Sequence, residues 1–330
     1  MPLKRRILQL VWISWISACS SAACGSEGWG RAAEKTPTGT ITTVRLMTGP
    51  SGGAFLPLGE RIAEVVRAGI PAIRVETITS AGAIDNATAV QKGVADLGLT
   101  FADVAYTAYT GRLLKGTAPF NHIRAVAVLH VTPISLVARS ALSIDSPAGL
   151  RGRRVAVGLG GGGTTLSARL ILAQYGLGPE TVDLVSIGLP EAADRLLDET
   201  VDAMFANMGN QAESLRRAIA GGARLVPIDG PPVNALRRDY PFMKLTVIPP
   251  DSYPSVKQPV HTVGVDALMI CREDLDEALV YELTKHIFAF VRSVSEQQAP
   301  SGIELSEASA APIPLHAGAA RFYRERELSH

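Results

Sequence analysis

Three groups of residues have the types and spacing to do chemistry. Gly49-Pro50-Ser51-Gly52-Gly53 fits the G-x-S-x-G elbow, a strained strand-to-helix turn that exposes a serine nucleophile. A hydrolase elbow, however, follows several strands, one of which supplies the oxyanion-hole loop. This one follows the first strand beyond residue 40, and no histidine can be assigned to Ser51. Gly158-Leu159-Gly160-Gly161-Gly162-Gly163 satisfies G-x-G-x-x-G, with Asp183 at the expected separation (183 − 163 = 20). The ribose-binding acid belongs at the carboxyl end of the second strand, whereas Asp183 opens a strand. Asp96 and Asp103 form a candidate carboxylate pair for acid–base work. Asp96 reads better as a turn residue ahead of a buried strand, and Asp103 as a cap for the helix running through Tyr106. No nucleophile, acid–base set or dinucleotide cofactor site is assembled, and the expectation is a protein that is not an enzyme and takes no cofactor.

The physics shared by the two glycine loops outlives both motif labels. Each puts a turn at a helix N-terminus, where unpaired N–H groups and the positive dipole end favour an anion. Two such loops facing one cleft would hold a carboxylate from both sides. The plainer reading, glycines serving only as tight turns, stands beside it.

Short β-branched runs alternate with helical stretches, the pattern of parallel sheets with crossover helices. Strands are predicted at 41–48, 73–79 and 97–100, with helices at 57–68, 84–92 and 102–109. The run 123–139 is long, nearly continuously apolar and broken at Thr132-Pro133, long enough to pass from one lobe to another. The rhythm then repeats, with strands at 154–157, 184–187 and 201–205 and helices at 165–175, 191–198 and 214–220. A return strand at 261–271 and an amphipathic helix at 276–294 follow. The expectation is α/β, with βαβαβ twice in two lobes. A faint internal similarity sets Val94-Ala95-Asp96-Leu97-Gly98 against Thr200-Val201-Asp202-Ala203-Met204.

Composition narrows the partners. With 32 basic against 31 acidic residues and 5% aromatics, the chain carries neither the electrostatic footprint nor the stacking surface for nucleic acid. The N-terminus has a basic stretch at Lys4, Arg5 and Arg6, then an apolar run from Ile7 to Ile16 too short to span a bilayer. It reads as a secretory signal. Ile16-Ser17-Ala18-Cys19 resembles the lipobox of bacterial lipoproteins, which makes Cys19 the lipidation candidate and 1–19 the leader; cleavage near Ala22-Ala23 is the alternative. Residues 20–40 read as a flexible tether. Cys271 is either a lone buried thiol or the partner of Cys24. The six histidines are scattered and no metal-ligand spacing occurs, so no metal is expected.

Read in order, these residues resemble the TAXI group, the solute receptors of one class of TRAP transporter. The matching stretches include Gly52-Gly53-Ala54-Phe55-Leu56-Pro57-Leu58-Gly59, Ala102-Asp103-Val104-Ala105-Tyr106, Leu150–Gly158, Thr262-Val263-Gly264-Val265 and Pro312–Ala320, covering essentially 41–325. The resemblance implies a type II periplasmic-binding-protein-like fold, with two Rossmann-like lobes linked by β-strands around a central cleft. Lobe 1 would comprise 41–131 plus 262–330, and lobe 2 would comprise 132–261. It also implies a small organic acid or amino acid ligand, hinge closure, delivery to a TRAP-type permease, and a monomer held by its lipid at a bacterial membrane on the periplasmic or extracytoplasmic side.

Carried over residue by residue, the ligand shell is Thr48, Ser51, Gly53, Asn86 and Asp103, with Gly163, Thr164 and Thr165 from the second lobe. The chain departs from the family at Phe55 (usually Tyr), Ala83 (Ser), Phe101 (Gln) and Gly162 (Ser). Four polar groups are thereby missing from the expected pocket, which predicts a ligand with one carboxylate and a less polar body than glutamate. The hinge candidates are Thr132, Pro133, His261 and Thr262; Thr132-Pro133 as a mere bulge and His261 as a surface residue are the alternatives. A ligand-sensing partner of a signalling protein is the rival function, sharing the same binding step.

Overall fold

The computed structural model describes residues 41–113, 116–208, 212–298 and 304–329. The leader and tether, with Cys19 and Cys24, lie outside the described residues. Strand β1 (Thr42–Met47), helix α1 (Phe55–Gly69), β2 (Ile73–Ile78), α2 (Ala83–Gln91) and β3 (Leu97–Phe101) make a first βαβαβ unit. Helix α3 (Ala102–Tyr109) leads into the 17-residue β4 (Ile123–Arg139). The second unit is β5 (Arg154–Ala156), α4 (Gly163–Gln174), β6 (Asp183–Val185), α5 (Leu189–Leu197) and β7 (Ala203–Asn207). Then come α6 (Glu213–Ala220), β8 (Ala223–Val226), α7 (Pro231–Asp239), β9 (Met243–Ile248) and β10 (Val260–Arg272). Helices α8 (Glu277–Gln298), α9 (Leu305–Ser309) and α10 (Ala317–Glu327) finish the described chain.

The strands run in the order β2-β1-β3-β10-β4-β7-β5-β6, with β8 added on β4 and β9 on β10. Each unit is parallel internally, β1 lying between β2 and β3, and β5 between β6 and β7. Strands β3 and β7 are buried at every residue, the unbroken apolar run expected of a strand covered on both faces. Strand β2, at one end of the order, never becomes fully buried.

The long strands β4 and β10 pair antiparallel from Ile123↔Arg272 to Pro133↔Gly264. At Ile134 the partner changes, and β4 continues against β7 and then β8. Register shifts fall where Leu129 and Val126 have no opposite residue. Thr132 and Pro133 pair in register with Val265 and Gly264, so they mark the change of partner and are not a bulge. Thr262 is buried and donates from Oγ1 to the Ile134 carbonyl at 2.5 Å.

The faint internal similarity has a matching geometry. In the first unit Asp96 Oδ2 accepts from Arg45 N at 2.8 Å and Nε at 3.1 Å, while Arg45 Nη2 reaches Oδ1 at 3.2 Å and the Gly93 carbonyl at 3.3 Å. In the second, Asp202 Oδ2 accepts from Arg154 N at 2.9 Å and Nε at 3.4 Å, with Nη2 reaching Oδ1 at 3.1 Å and the Glu199 carbonyl at 2.8 Å. Burial pulls both carboxylates upward, but the arginine bonds outweigh it and hold each below the usual Asp range. Gly93 and Glu199 both sit at positive φ, +69° and +59°.

Element boundaries differ from the sequence reading mainly after residue 200. The strand expected at 201–205 runs 203–207, because Asp202 is spent on its turn with Arg154. Between α6 and β10 the chain forms β8, α7 and β9, for which the hydrophobic pattern gave no signal. Pro231 and Pro232 look like breakers there but occupy the first turn of α7, where a missing N–H costs nothing. Cys271 is fully buried in β10, and burial pushes its thiol far up.

Candidate ligand-binding site

In each βαβαβ unit the chain leaves the first strand to one side and returns on the other, so the carboxyl ends of β1/β3 and of β5/β7 are topological switch points, where open α/β sheets bind ligands. Both glycine loops lie at such points. A cavity of about 170 Å³ is lined from all six strand ends: residues 50–55 after β1, 81–83 after β2, Phe101 of β3, 158–159 and 162–164 after β5, 187–190 after β6, and 205–208 from β7. The two loops also share a turn, Gly53 N donating to the Pro50 carbonyl at 2.9 Å and Gly162 N to that of Leu159 at 2.8 Å. Gly52 and Gly158 take φ of +79° and +85°, which an L side chain would resist.

Five helices begin at this cavity, and their N-cap residues are Ala54, Gly82, Phe101, Gly162 and Gly188, none of which caps through its side chain. Ser, Thr, Asp or Asn at those positions would have satisfied the first-turn N–H groups internally. Helix α2 is served differently. Its Ile84 and Asp85 N–H groups donate to the Gly161 carbonyl at 3.0 and 3.2 Å, joining the first unit to the second unit's loop. Among the described residues no lining residue is charged, so backbone N–H groups, helix ends and the hydroxyls of Ser51 and Thr164 are what the wall offers an anion. Phe55 and Phe101 stack at 4.7 Å, giving one wall an aromatic face. Gly163 packs so close to Phe101 that a Cβ there would stand 2.4 Å from the ring.

Of the residues expected in the ligand shell, Ser51, Gly53, Phe55, Ala83, Phe101, Gly162, Gly163 and Thr164 line the cavity. Thr48, Asn86, Asp103 and Thr165 do not, because internal bonds absorb their polar atoms. Thr48 Oγ1 donates to the Ile78 carbonyl at 3.0 Å, and Thr165 Oγ1 to Val157 and Leu159 at 3.0 and 2.9 Å. Asn86 Nδ2 donates to the carbonyls of Thr48 and Leu99, and its Oδ1 accepts from Ser80 Oγ at 2.6 Å. Asp103 is fully buried, with Oδ1 accepting from Val104 N at 2.8 Å and Oδ2 from Ser167 Oγ at 2.5 Å. Burial without a cation pushes its pKa up to about 6.

Tyr106 packs on Phe242, and neither it nor Tyr109 lines the cavity. His316 caps α10, accepting from Gly318 N at 3.2 Å. Asp183 pairs with Arg154 at the amino end of β6, not at the carboxyl end that a ribose would need.

Sequence reasoning missed Ala81, Gly82, residues 188–190 and residues 205–208, ordinary types that carry no motif. One signal was available for Asn207. The Asp96/Asp202 correspondence carries Phe101 onto it, since each stands five residues beyond its aspartate (101 − 96 = 207 − 202 = 5).

Two lobes of sheet flanked by helices, with strand ends converging on one cavity, make this the type II periplasmic-binding-protein fold. Similar solved structures include the alkanesulfonate-binding protein SsuA from Xanthomonas axonopodis pv. citri bound to MOPS, with 13% identity over 86% of this chain and 83% of that one, TM-score 0.50. The periplasmic binding protein BugD is 15% identical over 87% of this chain and 94% of its own, TM-score 0.51. The chain belongs to the NMT1-like family, which it matches over residues 46–326.

Proposed function

We propose that this chain is an extracytoplasmic solute-binding receptor of the TAXI type, which captures a small carboxylate-bearing ligand by hinge closure and passes it to a TRAP-type permease without transforming it. The observation that carries the reading is the convergence of five helix N-termini whose N-cap side chains lend no cap, on a cavity with no charged lining residue among the described residues. First-turn N–H groups of α2 and α3 are already taken by the Gly161 carbonyl and Asp103, which leaves α1, α4 and α5 for a ligand. Such a wall suits an anionic group held by N–H donors, while the Phe55/Phe101 face suits an apolar body. A similar fold that carries MOPS, a sulfonate, is consistent with an anion seat. The lobes would be 41–131 plus 262–330 and 132–261, turning about the β4/β10 crossing near Thr132, Pro133, His261 and Thr262. Two N–H bonds to the Gly161 carbonyl and the Ser167–Asp103 bond would then form on closure. Cys19 would carry the lipid of a monomeric receptor.

Native mass spectrometry of the purified full chain should reveal a co-purified organic acid. In thermal-shift screening, carboxylates of about six to ten non-hydrogen atoms should raise Tm, since ligand at a hundredfold its Kd adds about 2.7 kcal/mol. Sulfonates of the same skeleton separate an acid-specific seat from a general anion seat. Tight glutamate binding with no response to apolar acids would defeat the apolar-body reading, and a response to neutral sugars alone would defeat the anion reading.

A further inference from the structure

Asn207 lines the cavity at the end of β7, is 4% exposed, and has an Oδ1 with no hydrogen-bond partner among the described residues. A buried polar atom left unpaired is costly and calls for an explanation. The orientation of its amide is fixed by a chain of bonds. Asp103 Oδ2 accepts the one hydroxyl proton of Ser167 at 2.5 Å, so Ser167 Oγ can only accept from Asn207 Nδ2, at 2.7 Å. Asp103 is ionised for the most part at neutral pH, its pKa standing at about 6, and an ionised carboxylate cannot reverse the chain by donating. One of the two Nδ2 hydrogens is therefore committed to Ser167, and the carbonyl oxygen is the atom of the amide left with no partner of its own among the described residues. At the matching position of the first unit stands Phe101, which offers no acceptor.

We infer that Asn207 is a specificity-determining residue that selects ligands carrying an O–H or N–H donor beside their anionic group, such as 2-hydroxy or 2-amino acids, with Ser167 and Asp103 as its positioning residues. The inference rests on the anion-binding reading for the charged end of the ligand and adds a second point of recognition. A site built around an acceptor discriminates against an analogue lacking the donor, because the acceptor then stays orphaned. The cavity, about 170 Å³, is of the size that takes benzene in an engineered protein, on the order of six to ten non-hydrogen atoms.

The test is isothermal titration calorimetry of the full chain at pH 7.5 with four compounds of one skeleton: isovalerate, 2-hydroxyisovalerate and the methyl esters of both. The hydroxyl contrast reads Asn207, and the acid–ester contrast reads the anion seat. The hydroxy acid should bind at least tenfold tighter than isovalerate. That ratio should fall to near one in Asn207→Leu, and should fall partway in Ser167→Ala, where the amide is free to turn. If Asn207→Leu does not fold, the Ser167→Ala ratio decides. A hydroxyl preference seen in the ester pair, with acids no better than esters, supports the role of Asn207 and defeats the anion seat. Acids preferred over esters with no hydroxyl preference, a preference that survives Asn207→Leu, or binding of none of the four compounds, overturns the inference.

Discussion

The two βαβαβ units are built to one plan and differ in chemistry at two matched cavity positions. They share the Arg–Asp clasp, the turn of the glycine loop and the parallel strand order. At matching cavity positions, however, the first unit carries Phe55 and Phe101 while the second carries Thr164 and Asn207. Matching loop turns and strand ends thus present two aromatic rings from one side and two polar side chains, set among apolar neighbours, from the other. On the proposed reading, the scaffold would fix where a ligand sits, and a few side chains at strand ends would fix which way round it lies.

The largest effect should come from the tightest point of contact between the walls. Gly163→Leu drives a side chain into the Phe101 ring and Ala83 Cβ, and should lower stability by about 3 kcal/mol and abolish ligand binding. At the matching Ala54, which already bears a Cβ, Ala54→Val should cost under about 1.5 kcal/mol by urea denaturation. Equal costs at both sites would break the asymmetry.

Next is the contrast between Asp103 and the clasp aspartates. The folded pKa of Asp103, about 6, lies above its unfolded value near 3.8. The folded state therefore holds an extra proton between those limits, and stability falls as pH rises through them. Asp103→Asn should remove that fall and raise stability at pH 7.5 by about 2 kcal/mol, with little change near pH 3.5. Asp96 and Asp202, held low by Arg45 and Arg154, have the opposite sign and lose their contribution as pH drops.

Truncating either clasp, Asp96→Ala or Asp202→Ala, should cost about 2 kcal/mol, the two values agreeing within about 1 kcal/mol. A neutral result for one alone would show that the resemblance of the two clasps is geometric but not energetic. The smallest effect is expected at Glu199, which holds the positive φ that Gly93 holds in the first unit. Glu199→Gly should gain up to about 1 kcal/mol in the same denaturation experiment, less what its exposed ion pair with Arg139 contributes.

Much of this plan was legible in the residues. The β-branched runs and helical spacings located both units, and β4 was bounded at Ile123 and Arg139 because its run is nearly continuous in apolar residues, with a break at Thr132-Pro133. Both glycine loops were readable as helix-start turns. The rest was hidden for physical reasons. Thr48, Asn86 and Thr165 look like ligand-binding residues by type, but their polar atoms are consumed by backbone groups, which only the fold brings within reach. Asn207 looked like a strand residue, and its orphaned oxygen depends on Ser167 and Asp103, 40 and 104 residues away in sequence (207 − 167 and 207 − 103). Strand β9 is buried only at its two ends, Met243 and Ile248, and owes its place to pairing with β10.

The crossing of β4 and β10 has a mechanical consequence. Twisting about its long axis is checked where third strands flank it: β9 on β10 up to Val265, β3 on β10 from Ala267, and β7 with β8 on β4 beyond Pro133. The proposed closure would have to be taken up in the short stretch where these neighbours change. Slippage is another matter, because moving one strand by a single residue would turn every side chain from core to solvent. Under the proposed hinge closure, an axle of this kind would allow rotation and deny translation, so the two walls would part and meet again in the same alignment each time.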